Sequence, residues 1–321
     1  MTRHLIHIGY PKAGSTFLQA WFERHPELRY ITGGLAGFHN VWQVAQSFDE
    51  TYEYYVTSYE GLSTPHKSAG GVELAYGGAE PFDDERRKEK QARLCAVLKS
   101  LFPHSRILVV TRGFKGLIVS GYSQIVRTGG RVHLGEMCRQ LAIGLQDESY
   151  NYYDFDYVLG LYAGAFGEEN LIVLPYELLR DDQGRFVSVL EGRLGLRHAE
   201  IALGRVNPSL SPEELYWYPL ISRLVSAGAS RLGPVWFPKV YRRYVGLTLD
   251  NRLRLLVRLL SLLKPDKKIT DADFPAEIMS HFEGKATRLK ADPLYAPYAA
   301  EYLFDEGAAA RLSATAPPGS A

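Results

Sequence analysis

The sequence predicts an α/β protein of three layers, with a central parallel sheet between helices and a helical C-terminal part. Three observations carry that expectation. Short apolar runs at residues 5–8, 54–57, 107–110 and 171–174 are each followed by polar or Gly/Pro punctuation and then by helical spacing. A glycine-bounded loop joins the first run to the first helical pattern, and beyond about residue 205 the alternation gives way to helical, proline-punctuated sequence.

In chain order, the run at residues 5–8 is too short for a signal-peptide core and is read as a first strand. Phe17, Leu18, Trp21 and Phe22 then recur at helical spacing, and the helix closes near His25-Pro26, because a proline disfavours helix in the residue before it. Residues 83–100 place Leu94, Val97, Leu98 and Leu101 on a charged background, which predicts a surface helix leading into the strand at 107–110. The aromatic run Tyr150, Tyr152, Tyr153, Phe155 and Tyr157 suits either stacking on sugars or a helix packed against the sheet. From 212 to about 303 the chain reads as helical and irregular, interrupted at Pro219, Pro234, Pro238, Pro265 and Pro275. Within it, Arg254 and Arg258 share one face of a basic and apolar helix, read as packing on the core in preference to lying on a membrane. Residues 307–321 have the composition of a disordered tail. The expected organisation is one domain, residues 1–306, with a core at 1–182 and a helical part at 205–306.

Composition narrows the function. The 321 residues carry 37 Lys and Arg against 36 Asp and Glu, a formal balance of +1 that argues against a nucleic-acid partner. Hydrophobic residues make up 46%, enough for a sizeable core. Cys95 and Cys138 are too few and too far apart for a disulfide framework or a cysteine zinc site, which suits a reducing, cytoplasmic compartment. No run approaches the roughly 20 apolar residues of a membrane span, and no His, Asp or Glu cluster has metal-binding spacing, so no metal is expected.

The most informative segment is Gly9-Tyr10-Pro11-Lys12-Ala13-Gly14-Ser15-Thr16, which has the Gly-x4-Gly spacing of a loop that cradles phosphate between a strand and a helix. A Walker A loop carries lysine directly after the second glycine; here that place is Ser15, and the lysine lies inside the loop at Lys12. The strand at 107–110 runs into Thr111-Arg112, offering a cation where an NTPase would place a magnesium-holding carboxylate. A cation-lined loop of this kind suits a nucleotide whose transferred group carries less charge than a γ-phosphate, and sulfuryl is the first candidate.

The stretch Pro11-Lys12-Ala13-Gly14-Ser15-Thr16-Phe17-Leu18 resembles the 5′-phosphosulfate loop of sulfotransferases that use 3′-phosphoadenosine 5′-phosphosulfate, PAPS. Arg112 at the end of 106–112, with Ser120 eight residues on, resembles that family's 3′-phosphate motif. Tyr176 and Glu177 after the strand at 171–174 resemble its Tyr-Glu-x-Leu turn beside the adenine. The resemblance spans residues 4 to about 182. It implies a P-loop-like sulfotransferase fold, PAPS as co-substrate, and a cofactor site of Pro11, Lys12, Ala13, Gly14, Ser15, Thr16, Phe17, Arg112, Ser120 and Tyr176. Asn207 and Ser209 stand where relatives place a loop closing over the 3′-phosphate, without the Arg-Lys-Gly of the cytosolic enzymes.

Lys12 is the expected catalytic cation, following charge onto the departing phosphate. Glu60, just past the strand at 54–57, is the first candidate base for the acceptor proton. It departs from the histidine of cytosolic relatives and suits the glutamate of carbohydrate sulfotransferases; His39 and His66 are its competitors. The acceptor is expected to be a sugar hydroxyl, with Trp217 and Trp236 among residues able to stack on it, or a small natural product bearing an alcohol, phenol or amine. A homodimer is compatible with a chain of this size. The competing functions are a P-loop nucleotide or small-molecule kinase and a catalytically silent nucleotide-binding module.

Overall fold

The computed structural model describes residues 3–30, 51–64, 86–201 and 210–304. Its centre is a five-stranded parallel sheet of order β2-β3-β1-β4-β5, built from β1 (Arg3–His7), β2 (Leu28–Arg29), β3 (Tyr54–Ser58), β4 (Arg106–Thr111) and β5 (Leu171–Pro175). This is the expected α/β class. The strands that β1 separates, β3 and β4, are consecutive in the chain but not adjacent in the sheet, so the chain reverses its winding direction at β1. The short edge strand β2 carries too few residues to register as an apolar run.

The main helices are α1 (Ser15–Arg24), α2 (Arg87–Leu101), α3 (Phe114–Arg127), α4 (Leu134–Gly144), α5 (Phe155–Phe166), α6 (Tyr176–Asp181) and α7 (Gln183–Leu194). They are followed by α8 (Pro212–Ser230), α9 (Phe237–Leu249), α10 (Arg254–Leu263) and short turns to residue 304. As expected, α1 stops before Pro26, with His25 as its extended C-cap. Its Phe17, Leu18, Trp21 and Phe22 are all buried.

Phe155 and Tyr157 of the aromatic run resolve into packing. Phe155 opens α5, and Phe114 is stacked between Phe155 and Phe282, with centroids 5.0 and 4.9 Å away. Phe114 thereby ties the sheet layer to the C-terminal turns, while Tyr157 lies on α5 and donates its hydroxyl to the Lys88 carbonyl at 2.9 Å.

Three expectations are corrected. In α2 the buried stripe is Gln91, Cys95 and Leu98, whereas Val97 and Leu101 are exposed. The spacing 91, 95, 98 follows one helical face, and Gln91 is held inside by donating to the Ser63 carbonyl at 2.6 Å. Pro219 does not break its helix: α8 runs through it. Proline removes one intrahelical bond and leaves the carbonyl four residues back without a donor, and here Tyr122 Oη donates to that Leu215 carbonyl at 3.2 Å. In α10 only Val257 is buried, so the leucine face does not pack on the core. Residues 307–321, expected as a tail, lie outside the described residues. Among the described residues no helix is long and apolar enough to cross a membrane.

Removing the Phe114 ring empties the aromatic stack at the centre of the molecule. Phe114→Ala is expected to lower unfolding stability by about 3–5 kcal/mol, read from denaturant midpoints. A loss below about 1 kcal/mol would show that the stack is not a structural joint.

Candidate functional site

The loop at residues 9–16 leaves the C-terminal end of β1 and enters α1. Its underside is fully packed: Tyr10 and Ala13 are buried, and Phe17 meets the Phe186 ring edge-on. Gly14, the N-cap, has φ +86°, a left-handed conformation, and a Cβ there would lie 2.6 Å from Leu179 Cδ2 and 3.4 Å from Tyr176 Cδ2. Two turns of α6 therefore close against the loop because residue 14 has no side chain. The first-turn N–H groups of α1 point outward without intrahelical partners, as at any helix start.

Lys12 also has positive φ, +64°, in a residue with a Cβ. That strain, of order 1 kcal/mol, is held by Arg112, whose Nη1 donates to the Lys12 carbonyl at 2.6 Å. Arg112 in turn lies over the Tyr176 ring, 4.4 Å from its centroid. Lys12 Nζ donates to Gln124 Oε1 at 2.8 Å. Desolvation pushes the Lys12 ammonium below the usual lysine range although the residue as a whole is exposed; Glu60 pulls it back up, and the Arg127 and Arg112 charges push it down. Burial likewise lowers the Arg112 guanidinium.

The helix α3 aligns with this loop along one face. Arg112 precedes it and crowds Gly116, where a Cβ would sit 3.2 Å from Arg112 Nε; Gln124 meets Lys12, and Arg127 is within electrostatic reach of it. Ser120, half-buried, lies one turn from both Gly116 and Gln124 on that stripe. Gln124 and Arg127 were missed from sequence, although their signal was present: they stand four and seven residues beyond Ser120, on its own helical face.

Glu60 lies in the turn that follows β3. The register pairs His7 with Ser58, so the loop and this turn leave neighbouring strands at the same sheet edge. Three bonds fix the turn: Tyr59 N–H to the His7 carbonyl at 3.1 Å, Ser63 Oγ to the Gly9 carbonyl at 3.1 Å, and Gln91 to the Ser63 carbonyl. Burial raises the Glu60 carboxyl above the usual range. Opposing it are the buried Ser15 hydroxyl and the Lys12 ammonium.

His7 was passed over in the sequence as a histidine interrupting a strand. It is fully buried, hydrogen-bonded through Nδ1 to Ser58 Oγ at 2.8 Å, and desolvation pushes it down to about 3, so it is neutral. A Cβ on Gly9 would land 2.2 Å from its Nε2, which explains why the loop begins with glycine. Glu177 is likewise structural: buried and raised by desolvation, it accepts from Gly113 N–H at 2.9 Å and Tyr302 Oη at 2.7 Å, fixing the turn that carries Arg112.

Pro11 is half-buried and Thr16 exposed at the loop mouth. The competing bases His39 and His66, and the closing-loop residues Asn207 and Ser209, lie outside the described residues. Trp217 is partly buried against the core and Trp236 is exposed. Among the described residues no three of His, Cys, Asp and Glu are grouped to hold a metal ion.

No family model matches the chain, and no curated protein does. Among solved structures it is similar to a sulfotransferase from Alicyclobacillus acidocaldarius, at 15% identity and a TM-score of 0.41, over 69% of this chain and 93% of that one. The functional reading rests on the geometry of the site.

Two outcomes test this geometry. Lys12→Gly is expected to be more stable than Lys12→Ala by about 1 kcal/mol, because glycine accepts the left-handed backbone and alanine does not; equal denaturant midpoints would show an unstrained loop. For Glu60, a folded-state pKa above the unfolded one means that ionisation destabilises the fold as pH rises through the normal carboxylate range. Glu60→Gln is thus expected to be more stable than wild type near pH 7 and to lose that advantage near pH 4. A gain that does not vary with pH would assign it to packing.

Proposed function

We propose that the protein is a sulfotransferase that moves a sulfuryl group from PAPS to a hydroxyl or amine acceptor. The observation that carries the reading is the convergence of Lys12, Arg112 and Glu60 on one helix-capping loop at the point where the sheet reverses its winding. Two cations and a row of N–H groups suit a phosphate-bearing co-substrate. A carboxyl with a raised pKa beside them suits a group that must take up a proton.

The residues fit PAPS on their own chemistry. Lys12 and Arg112 bring two cations to the start of α1, and the buried Ser15 hydroxyl adds a donor at the loop. In this reading the 5′-phosphosulfate rests on residues 11–17 and the 3′-phosphate on Arg112 and Ser120, with Tyr176 near the purine. Gln124 holds Lys12 in the loop mouth and Tyr176 backs Arg112.

The proposed reaction is an in-line displacement. The acceptor oxygen forms a bond to sulfur as the bond from sulfur to the bridging phosphate oxygen breaks. The acceptor proton passes to the Glu60 carboxylate, and 3′-phosphoadenosine 5′-phosphate leaves with the electron pair. Lys12 and the loop N–H groups stabilise the charge that grows on the leaving phosphate, an interaction stronger in the transition state than before it. A raised Glu60 pKa makes a stronger base while leaving it ionised only above that value, so activity rises with pH through an acid limb. A sugar hydroxyl is the first acceptor to test, followed by small natural products. One domain with a helical acceptor side, in the cytoplasm, completes the proposal.

The test begins with calorimetric titration of 3′-phosphoadenosine 5′-phosphate against ATP with magnesium. Wild type is expected to bind the former selectively and Arg112→Ala to lose it; preference for magnesium-ATP would overturn the reading in favour of a kinase. With labelled PAPS and a sulfated acceptor found by screening, Glu60→Gln is expected to lower kcat about 10²–10⁴-fold and to abolish the acid limb. Lys12→Ala is expected to lower kcat more than it weakens nucleotide binding. Binding without turnover on any acceptor would identify a silent nucleotide-binding module.

A further inference from the structure

The helix α10 docks with the wrong side inward for a core helix. Its buried residue is Val257, and Leu255, Leu256, Leu259, Leu262 and Leu263 are between 41% and 79% exposed. At 100° per residue these five leucines fall within an arc of about 120°, centred nearly opposite Val257. The orientation is anchored at both ends. Arg254 Nε donates to the buried Glu214 carboxylate at 2.9 Å, and after the helix Ile269 N–H donates to the Pro212 carbonyl at 2.9 Å. Glu214 is itself fixed, closing the capping box of α8 with Ser211. The leucine face is thus held outward by the fold.

The charges beside this face select its occupant. In a chain with a balance of +1, residues 250–268 carry six Lys and Arg against Asp250 and Asp266. Arg254 is engaged by Glu214 and Arg252 lies 3.6 Å from Asp250, while Arg258, Lys264, Lys267 and Lys268 are all exposed. A second copy meeting this patch face to face would bring two basic rims together. A surface that takes up leucine side chains and presents dense negative charge satisfies both features at once.

We propose that α10 and the lysines that follow it dock this protein on an anionic lipid surface. The helix lies in the membrane plane, its leucines entering the boundary between headgroups and acyl chains and its bases meeting the lipid phosphates and carboxylates. No span is involved, and the docking is independent of the reaction proposed above.

The test is sedimentation of the full chain with phosphatidylcholine vesicles that contain or lack phosphatidylserine. Wild type is expected to bind only the anionic vesicles, and more weakly as salt rises. Leu259→Glu and Leu262→Glu are each expected to weaken binding by about tenfold, and Arg258→Glu by about fivefold. All three residues are exposed, so the melting temperature should not move. Failure of wild type to bind anionic vesicles would overturn the proposal. So would leucine variants that bind as wild type does, or sedimentation equilibrium showing a dimer that these variants dissolve, which would assign the face to a second copy.

Discussion

The parallel pairing of β1 with β3 on one side and β4 on the other is the constraint from which the site follows. Parallel strands present all their C-terminal ends at one edge, so the segments that leave β3, β1 and β4 start within about two strand spacings of one another, roughly 10 Å. Glu60, Lys12 and Arg112 belong to those three segments. Their separation along the chain is about fifty residues at each step, and no local interaction brings them together. Moving any one of these strands by a single residue would turn its own exit to the other face of the sheet.

Within that frame, the loop is shaped by what its residues lack as much as by what they carry. Gly9 leaves room for the neutral His7 ring, and Gly14 leaves room for Leu179 and Tyr176. Lys12 has a side chain in a backbone conformation that glycine would adopt at lower cost, and the Arg112 guanidinium pins its carbonyl. Arg112 thus shapes the loop through the Lys12 carbonyl, so its removal disturbs Lys12 as well as the ligand contact proposed for it. The same economy holds for Glu177 and Tyr302, which bury a carboxyl to hold the turn where Arg112 begins.

The C-terminal half serves two ends that differ in kind. The turns at 293–304 support the sheet edge through Tyr295 and Tyr302, whose hydroxyls meet Thr111 Oγ1 at 2.7 and 3.1 Å. The helices α8 and α9 pack on one another and on α3 through buried Tyr218, Tyr241 and Tyr244, whereas α10 contributes one valine inward and five leucines outward. A helix that pairs this poorly with its own protein has its apolar free energy left to use elsewhere.

By itself the sequence determined the α/β class, the four long strands, the end of α1 at Pro26, and the loop with its lysine inside. These are local properties: apolar runs of strand length, a proline that denies helix to its predecessor, and glycines at a strand-to-helix junction. The family resemblance also named Arg112 and Ser120, as one motif across a strand end and the following helix. Only the tertiary structure decided that Arg112 grips the Lys12 backbone, that Glu60 faces Ser15 and Lys12, and that Gln124 and Arg127 join the site. Each of those depends on strand order and on how α3 is rotated, which no window of sequence encodes. Amphipathic spacing likewise predicted a helix through Arg254 and Arg258 but turned its apolar face to the core, where the structure turns it out. Periodicity states that a helix has an apolar face; the anchoring of Arg254 by Glu214 and of Ile269 by Pro212 determines which way that face looks.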